Sequence, residues 1–179
     1  MKLCLKEFTK DDYQTLIGWI ESPKFLLQWG GTIFRYPLTV EQLAHYNNNT
    51  YQNSPICKIY SVLEKDTNNH IGHIELNNID FTNKSARICR VLIGDKNTKG
   101  KGYGKEIVQT IIKIGFEDLK LHRIDLNVFD FNTSAVKCYE SVGFIHEGMA
   151  REARIMDNEY WNIIQMSMLE TEYRDKYSK

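Results

Sequence analysis

The apolar positions of this chain change period several times, and each change marks an element. Leu3 and Leu5 alternate with polar neighbours, which predicts a strand over residues 2–8. Thr9 and Asp12 then resemble a capping box, and Tyr13, Leu16, Ile17 and Ile20 share one helical face. Pro23 breaks that pattern. Residues 24–38, KFLLQWGGTIFRYPL, follow no clean period and gather Phe25, Trp29, Phe34 and Tyr36 around Gly30 and Gly31. A second box, Thr39 to Gln42, opens a helix that runs to Tyr46, and NNNTYQNSP reads as a loop.

Residues 58–63 and 70–76 alternate apolar and polar positions and are joined by EKDTNN, the pattern of an antiparallel hairpin. A strand over residues 86–93 leads into the octet KGKGYGKE, residues 99–106. From Lys105 onward Ile107, Val108, Ile111, Ile112, Gly115 and Leu119 fall at helical spacing. Residues 122–129 read as a strand, 133–141 as a short helix, and 144–154 with 160–169 as a closing hairpin around MDNE. Neither an internal repeat nor a linker interrupts this order. The expectation is one domain over residues 1–179, mixed α/β, with a single, largely antiparallel sheet flanked by helices.

Composition narrows the function classes. The chain has 179 residues, 42% hydrophobic and 26% charged, which is ordinary for a globular protein. Formal net charge is zero, so charge lends no support to a nucleic-acid partner or an anionic membrane surface. MKLCLKEFTKDD lacks the apolar run and cleavage site of a signal peptide, and no apolar stretch approaches the roughly 18 residues needed to span a bilayer. Cys4, Cys57, Cys89 and Cys138 are widely spaced, with no C-x-x-C pair, which suits free thiols in a reducing cytoplasm. His70 and His73 stand three apart on a strand, hence on opposite faces, and no metal site is expected from them.

The octet carries the chemistry. It lies where the strand ARICRVLI hands over to the helical run EIVQTIIKIGF. Glycines there permit positive φ and close approach of a ligand, while the amides and dipole of a helix start favour a phosphate. A plain surface turn is the competing reading. A Walker loop fails, because the interval from Gly94 to Gly100 is one residue too long and Gly102 stands where Ser or Thr belongs. The dinucleotide pattern fails as well, since Gly100, Gly102 and Gly104 are spaced two and two. What fits is [Q/R]-x-x-G-x-[G/A], with Lys99 in place of Gln or Arg. This resembles the pyrophosphate loop of the GNAT superfamily of acyl-CoA N-acyltransferases. The segment NTSAVKCYESVGF, residues 132–144, resembles a second motif of the same superfamily at its usual distance. The tail EGMAREARIMDNEYWNIIQMSMLETEY resembles the subgroup that includes the ribosomal-protein N-terminal acetyltransferases, except that Trp161 stands where that subgroup often has Asp.

The resemblance implies a GNAT fold and transfer of an acetyl group from acetyl-CoA, as co-substrate, to a primary amine by direct attack. It implies cofactor contacts from Val91, Leu92, Ile93, Lys99, Gly100, Lys101, Gly102, Tyr103, Gly104, Lys105 and Asn132, with residues 91–93 splaying from the strand at 122–129. Tyr139 is the candidate acid for the leaving thiolate, although at i, i+4, i+7 spacing it also suits simple packing with Ala135 and Val142. Asn132 suits a helix cap equally well. Glu75 is the candidate base, with a water relay as the alternative. Cys138, beside that helix, reads as a small buried apolar residue rather than a nucleophile. Trp29, Phe34, Tyr36 and Trp161 either wall an acceptor pocket or anchor the core. The acceptor is a small-molecule amine or a protein N-terminus, and a homodimer is the assembly the family suggests. Two other readings compete: a non-catalytic acyl-CoA sensor, and a nucleotide-binding protein that uses the lysine-rich loop.

Overall fold

A computed structural model describes residues 2–49, 56–98 and 100–177. The chain runs β1 (Leu3–Glu7), α1 (Tyr13–Gly18), α2 (Pro23–Gly30), α3 (Val40–Asn49), β2 (Ile56–Glu64), β3 (His70–Asp80), β4 (Ser85–Ile93), α4 (Tyr103–Lys113), β5 (Arg123–Phe129), α5 (Thr133–Val142), β6 (Ile145–Met156), β7 (Glu159–Leu169) and α6 (Glu170–Tyr177). The seven strands form one sheet in the order β1-β2-β3-β4-β5-β7-β6. Only the β4–β5 pair among these is parallel, so the sheet is largely antiparallel as the alternating segments predict.

Two elements depart from the sequence reading. Pro23 does not end a helix but begins one: it occupies the first turn of α2, where its missing N–H costs nothing, and Ser22 accepts the Phe25 N–H at 3.1 Å as the cap. The aperiodic stretch from residue 24 is therefore helical up to Gly30. The second departure is α6, a polar helix of which Tyr173 is the buried member. Part of the NNNTYQNSP loop is helical instead, as the end of α3; residues 50–55 of it lie outside the described residues.

The core has two halves, one on each face of the sheet. On one face α4 and α5 bury Ile107, Val108, Ile111, Ile112 and Val142 against Ile74, Leu76, Ile88, Ile124 and Leu126. On the other face α1, α2 and α3 bury Tyr13, Leu16, Leu26, Trp29 and Leu43 against Ile59 and Leu92. Burying each large apolar side chain contributes about 1.5–3 kcal/mol, so each face of the sheet is stabilised by the helical layer packed on it. No helix among the described residues is long and apolar enough to cross a membrane.

Two backbone features place the site. The β4–β5 register runs from Ser85↔Arg123 to Ile88↔Leu126 and stops there, although β4 continues to Ile93 and β5 to Phe129. Just beyond that point β4 bulges: Glu75 pairs with Cys89 and His73 with Leu92, so β4 takes three residue steps against two in β3. Arg90, inside the bulge, has φ of 52°. Past the bulge, where Gly72 pairs with Ile93, a Cβ on Gly72 would lie 2.4 Å from the Leu92 carbonyl oxygen, so β3 needs glycine there to stay close.

Candidate active site

The gap between the separated ends of β4 and β5 opens into two adjoining cavities. The larger, about 380 Å³, is lined by Val91, Leu92 and Ile93 of β4, Gly104 and Val108 of α4, and Asn132, Ala135, Cys138 and Tyr139 of α5, with Phe25, Gln28 and Trp29 of α2 closing it. The smaller, about 110 Å³, shares Gln28, Trp29, Val91, Asn132 and Tyr139 and extends to Cys89, Arg90, Asn127 and Phe129. Strand edge, helix start and α5 thus converge on one cleft.

Gly100 and Gly102 have φ of 79° and 76°, and neither has a heavy atom within 4 Å of where a Cβ would stand. Gly102 is the N-cap of α4, so the first amides of a helix of 11 residues open beside the cleft. Lys101 and Lys105 flank this end as exposed cations. Lys99 lies outside the described residues. Tyr103 lines neither cavity: its ring is buried and its hydroxyl donates to Glu64 Oε1 at 2.5 Å.

Tyr139 lines both cavities and is 8% exposed, with Phe144 edge-on at 6.0 Å. Burial above all, then the neighbouring Cys138 and Cys89, pushes its phenol well above the ordinary value, so the oxygen keeps its proton. Asn132 both lines the cleft and caps α5, its side-chain oxygen accepting from the Ala135 N–H at 3.4 Å and the Ser134 hydroxyl at 3.1 Å. Cys138 and Cys89 face the two cavities as thiols; burial raises both, Cys89 to about 12, so neither is a ready thiolate.

Glu75 is not brought to the cleft. It is fully buried on the other side of β4, where its carboxylate accepts from the Tyr46 hydroxyl at 2.5 Å, the Cys57 thiol at 3.0 Å and the Asn77 amide, and pairs with Arg90. With both oxygens engaged and an arginine beside it, it has no free lone pair facing an acceptor. Of the four aromatic candidates, Trp29 lines the cleft. Phe34 stacks behind it at 5.6 Å, while Tyr36 is 48% exposed to solvent. Trp161 is buried in a cluster with Phe129 and Phe131, at 5.0 and 4.9 Å, and touches the cleft only through Phe129. Phe25, grouped by sequence with the aromatics of 24–38, lines the cleft, whereas Gln28, Cys89, Arg90 and Phe129 are cleft residues that sequence reasoning missed. The Ser22-Pro23 start would have placed Phe25 and Gln28 on a helix; nothing local marks the others.

An open mixed sheet, parted between its two parallel neighbours and fronted by a glycine-headed helix, defines an acyltransferase type of architecture. Residues 2–145 match the family model described as acetyltransferase (GNAT) domain, and the chain belongs to that family. Among curated proteins it is 34% identical over 114 residues to the uncharacterized N-acetyltransferase p20 of Bacillus licheniformis, a match covering 64% of this chain and 63% of that protein. It is 30% identical over 115 residues to spermidine N(1)-acetyltransferase of Vibrio cholerae, covering 64% and 65%. The chain thus spans slightly under two thirds of the length of these relatives. The crystal structure of spermidine N-acetyltransferase from Vibrio cholerae in complex with CoA and spermine has the same fold, with a TM-score of 0.82 at 24% identity over 96% of this chain and 98% of that one.

Proposed function

We propose that the chain is a single-domain, acetyl-CoA-dependent N-acetyltransferase acting on a primary amine in a ternary complex. The observation that carries this reading is the cleft itself: an unpaired strand edge, a glycine-capped helix start and a buried tyrosine meet in one space. The fit is good on the chain's own atoms. Open space at Gly102 leaves room for a pyrophosphate against the first amides of α4, with Lys101 and Lys105 adding positive potential. The unpaired edge at residues 91–93 suits an extended amide-bearing arm, which would pair with it as a strand does.

Acetyl-CoA supplies the thioester. The backbone N–H near Leu92 is the donor assigned to its carbonyl oxygen, where negative charge builds as nitrogen attacks carbon. Tyr139 holds its proton and hydrogen-bonds the departing sulfur; with a phenol harder to ionise than a thiol, that hydrogen bond rather than full transfer is its main contribution. The amine proton leaves through water, because Glu75 lies behind β4 with its oxygens occupied.

The acceptor belongs at the smaller cavity, between Gln28, Asn127 and Phe129. A small-molecule amine is favoured by the likeness to a spermidine acetyltransferase, and a peptide N-terminus by the tail's resemblance to the ribosomal-protein subgroup. Calorimetry with acetyl-CoA, coenzyme A and adenosine triphosphate, run beside Gly102→Glu, tests the reading. Selective acetyl-CoA binding lost in the variant supports it, and an amine screen by thiol release then finds the acceptor. Equal binding by the variant, or none by the wild type, overturns it. Tight binding with no turnover of any amine leaves an acyl-CoA sensor in its place.

A further inference from the structure

Arg90 interrupts an otherwise apolar strand end, yet it does not point outward. Its backbone sits at φ 52°, in the left-handed region that non-glycine residues avoid, and its side chain is only 11% exposed. The guanidinium donates through Nη1 to Glu75 Oε2. It lies 5.2 Å from the centre of the Tyr46 ring and 5.9 Å from that of Phe34, within cation–π range of both. Its carbonyl oxygen accepts the Trp29 indole N–H at 3.0 Å. One strained residue is therefore held by β3 and α3 through its side chain and by α2 through its backbone. Pairing of β4 with β5 ends at Ile88, two residues before it, and Val91, Leu92 and Ile93, the next three, line the cleft.

A buried ion pair adds little net stability over an apolar pair of the same shape, but removing one partner leaves the other charge uncompensated. Such a pair enforces one arrangement. The arrangement enforced here is the bulge that turns the end of β4 away from β5. We propose that Arg90 and Glu75 are positioning residues for the acyl-donor cleft: the pair pins the bulge and so fixes the backbone of residues 91–93. This rests on the reading of the cleft as the acetyl-CoA site. It also gives the buried Glu75 a role that needs no access to the amine.

The test uses Arg90→Lys, Arg90→Ala and Glu75→Gln, with two independent readouts. The first, taken on the protein without ligand, is amide hydrogen exchange over residues 89–93. The pinned bulge predicts faster exchange there, about tenfold or more, in all three variants, with residues 159–169 of β7 unchanged. The second is acetyl-CoA affinity by calorimetry. Arg90→Lys keeps a cooperative melt yet binds about tenfold more weakly, since a compact ammonium cannot at once reach Glu75 Oε2 and lie over the Tyr46 and Phe34 rings as the planar guanidinium does. Millimolar methylguanidinium restores affinity to Arg90→Ala, and methylammonium does not. Folded variants with wild-type exchange and wild-type affinity would overturn the proposal, as would rescue by either cation alike. If Arg90→Ala fails to fold, the lysine and glutamine variants decide it. If wild type itself does not bind acetyl-CoA, the cleft reading falls, and the exchange measurement judges the pair on its own.

Discussion

At the scale of single residues, protonation states separate the proposed acid from a buried group that only packs. Tyr139 sits at the junction of the two cavities, and burial keeps its phenol protonated well past the ordinary range. Its folded value is raised, so the alkaline loss of acid that a free phenol gives near pH ~10 moves higher. Tyr139→Phe should lower kcat by about a hundredfold while leaving KM for acetyl-CoA and the melting temperature nearly unchanged. Steady-state rates and a thermal melt check both halves of that statement. His73 is the opposite case. It is fully buried, and burial first, then Arg90 and His70, depresses it to about 3. An unfolded histidine titrates near ~6.5, so between these values the unfolded chain binds more protons than the folded one. The stabilisation from a neutral His73 is present above pH ~6.5 and lost as pH falls through that window. Glu147, held down to about 2 by the Arg123 and Ser167 hydrogen bonds, contributes stability that is present above the ordinary carboxylate value near ~4.3 and is lost as pH falls from there toward about 2. Urea titrations at pH 7.5 and 5.5 should therefore show a fall in stability that His73→Asn largely removes; an equal fall in the variant would assign it elsewhere.

At the scale of elements, what was legible in the sequence was what local patterning encodes. The β-hairpin of β2 and β3, the octet and its helix, and the α5 segment each announce themselves within a dozen residues, because alternation, glycine spacing and capping are local. So was the meeting of Gly104, Asn132 and Tyr139 along one cleft, given two motifs in order. The rest depended on register. Glu75 and Arg90 are 15 apart in sequence, and only a one-residue bulge in β4 turns the arginine onto the carboxylate. Trp161 reads from the sequence as either a pocket wall or a core anchor, and the structure seats it on β7 opposite Arg154 of β6, packed edge-on against Phe129 and Phe131. The C-terminal helix α6 was invisible for a different reason: ETEYRDKY offers no apolar period, and the helix is held by its tyrosines. Tyr173 stacks on Phe116 at 4.8 Å and donates to Glu117 at 2.6 Å, and Tyr177 donates to the Val142 carbonyl at 2.7 Å, at the end of α5. Tyr173→Ala should cost about 3–5 kcal/mol through the vacated core position, and Tyr173→Phe about 1 kcal/mol through the hydrogen bond alone. Denaturant midpoints at constant m-value separate the two; similar losses would mean that the stack contributes nothing.

Across the whole molecule, the sheet consists of two blocks joined at a narrow seam. The β4–β5 ladder has four residue pairs, against seven in the neighbouring β5–β7 ladder, and the seam opens into the cleft where the ladder ends. The cleft's lining comes from both blocks: residues 91–93 from one, residues 132–139 from the other, with Trp29 reaching across. A ligand seated there completes the missing part of the ladder and ties the blocks together, so its binding free energy becomes folding free energy for the entire chain. At a concentration of 100 times Kd the gain is about 2.7 kcal/mol, which for a chain of this size raises the melting temperature by about 5–11 °C. Acetyl-CoA should give that shift and keep the melt a single transition, with exchange slowed in β4 and β5 alike. Adenosine triphosphate, which could occupy the glycine loop but not the seam, should give little. A shift of equal size from both ligands would place the binding energy at the loop alone, and slowing confined to α4 would point to the same conclusion.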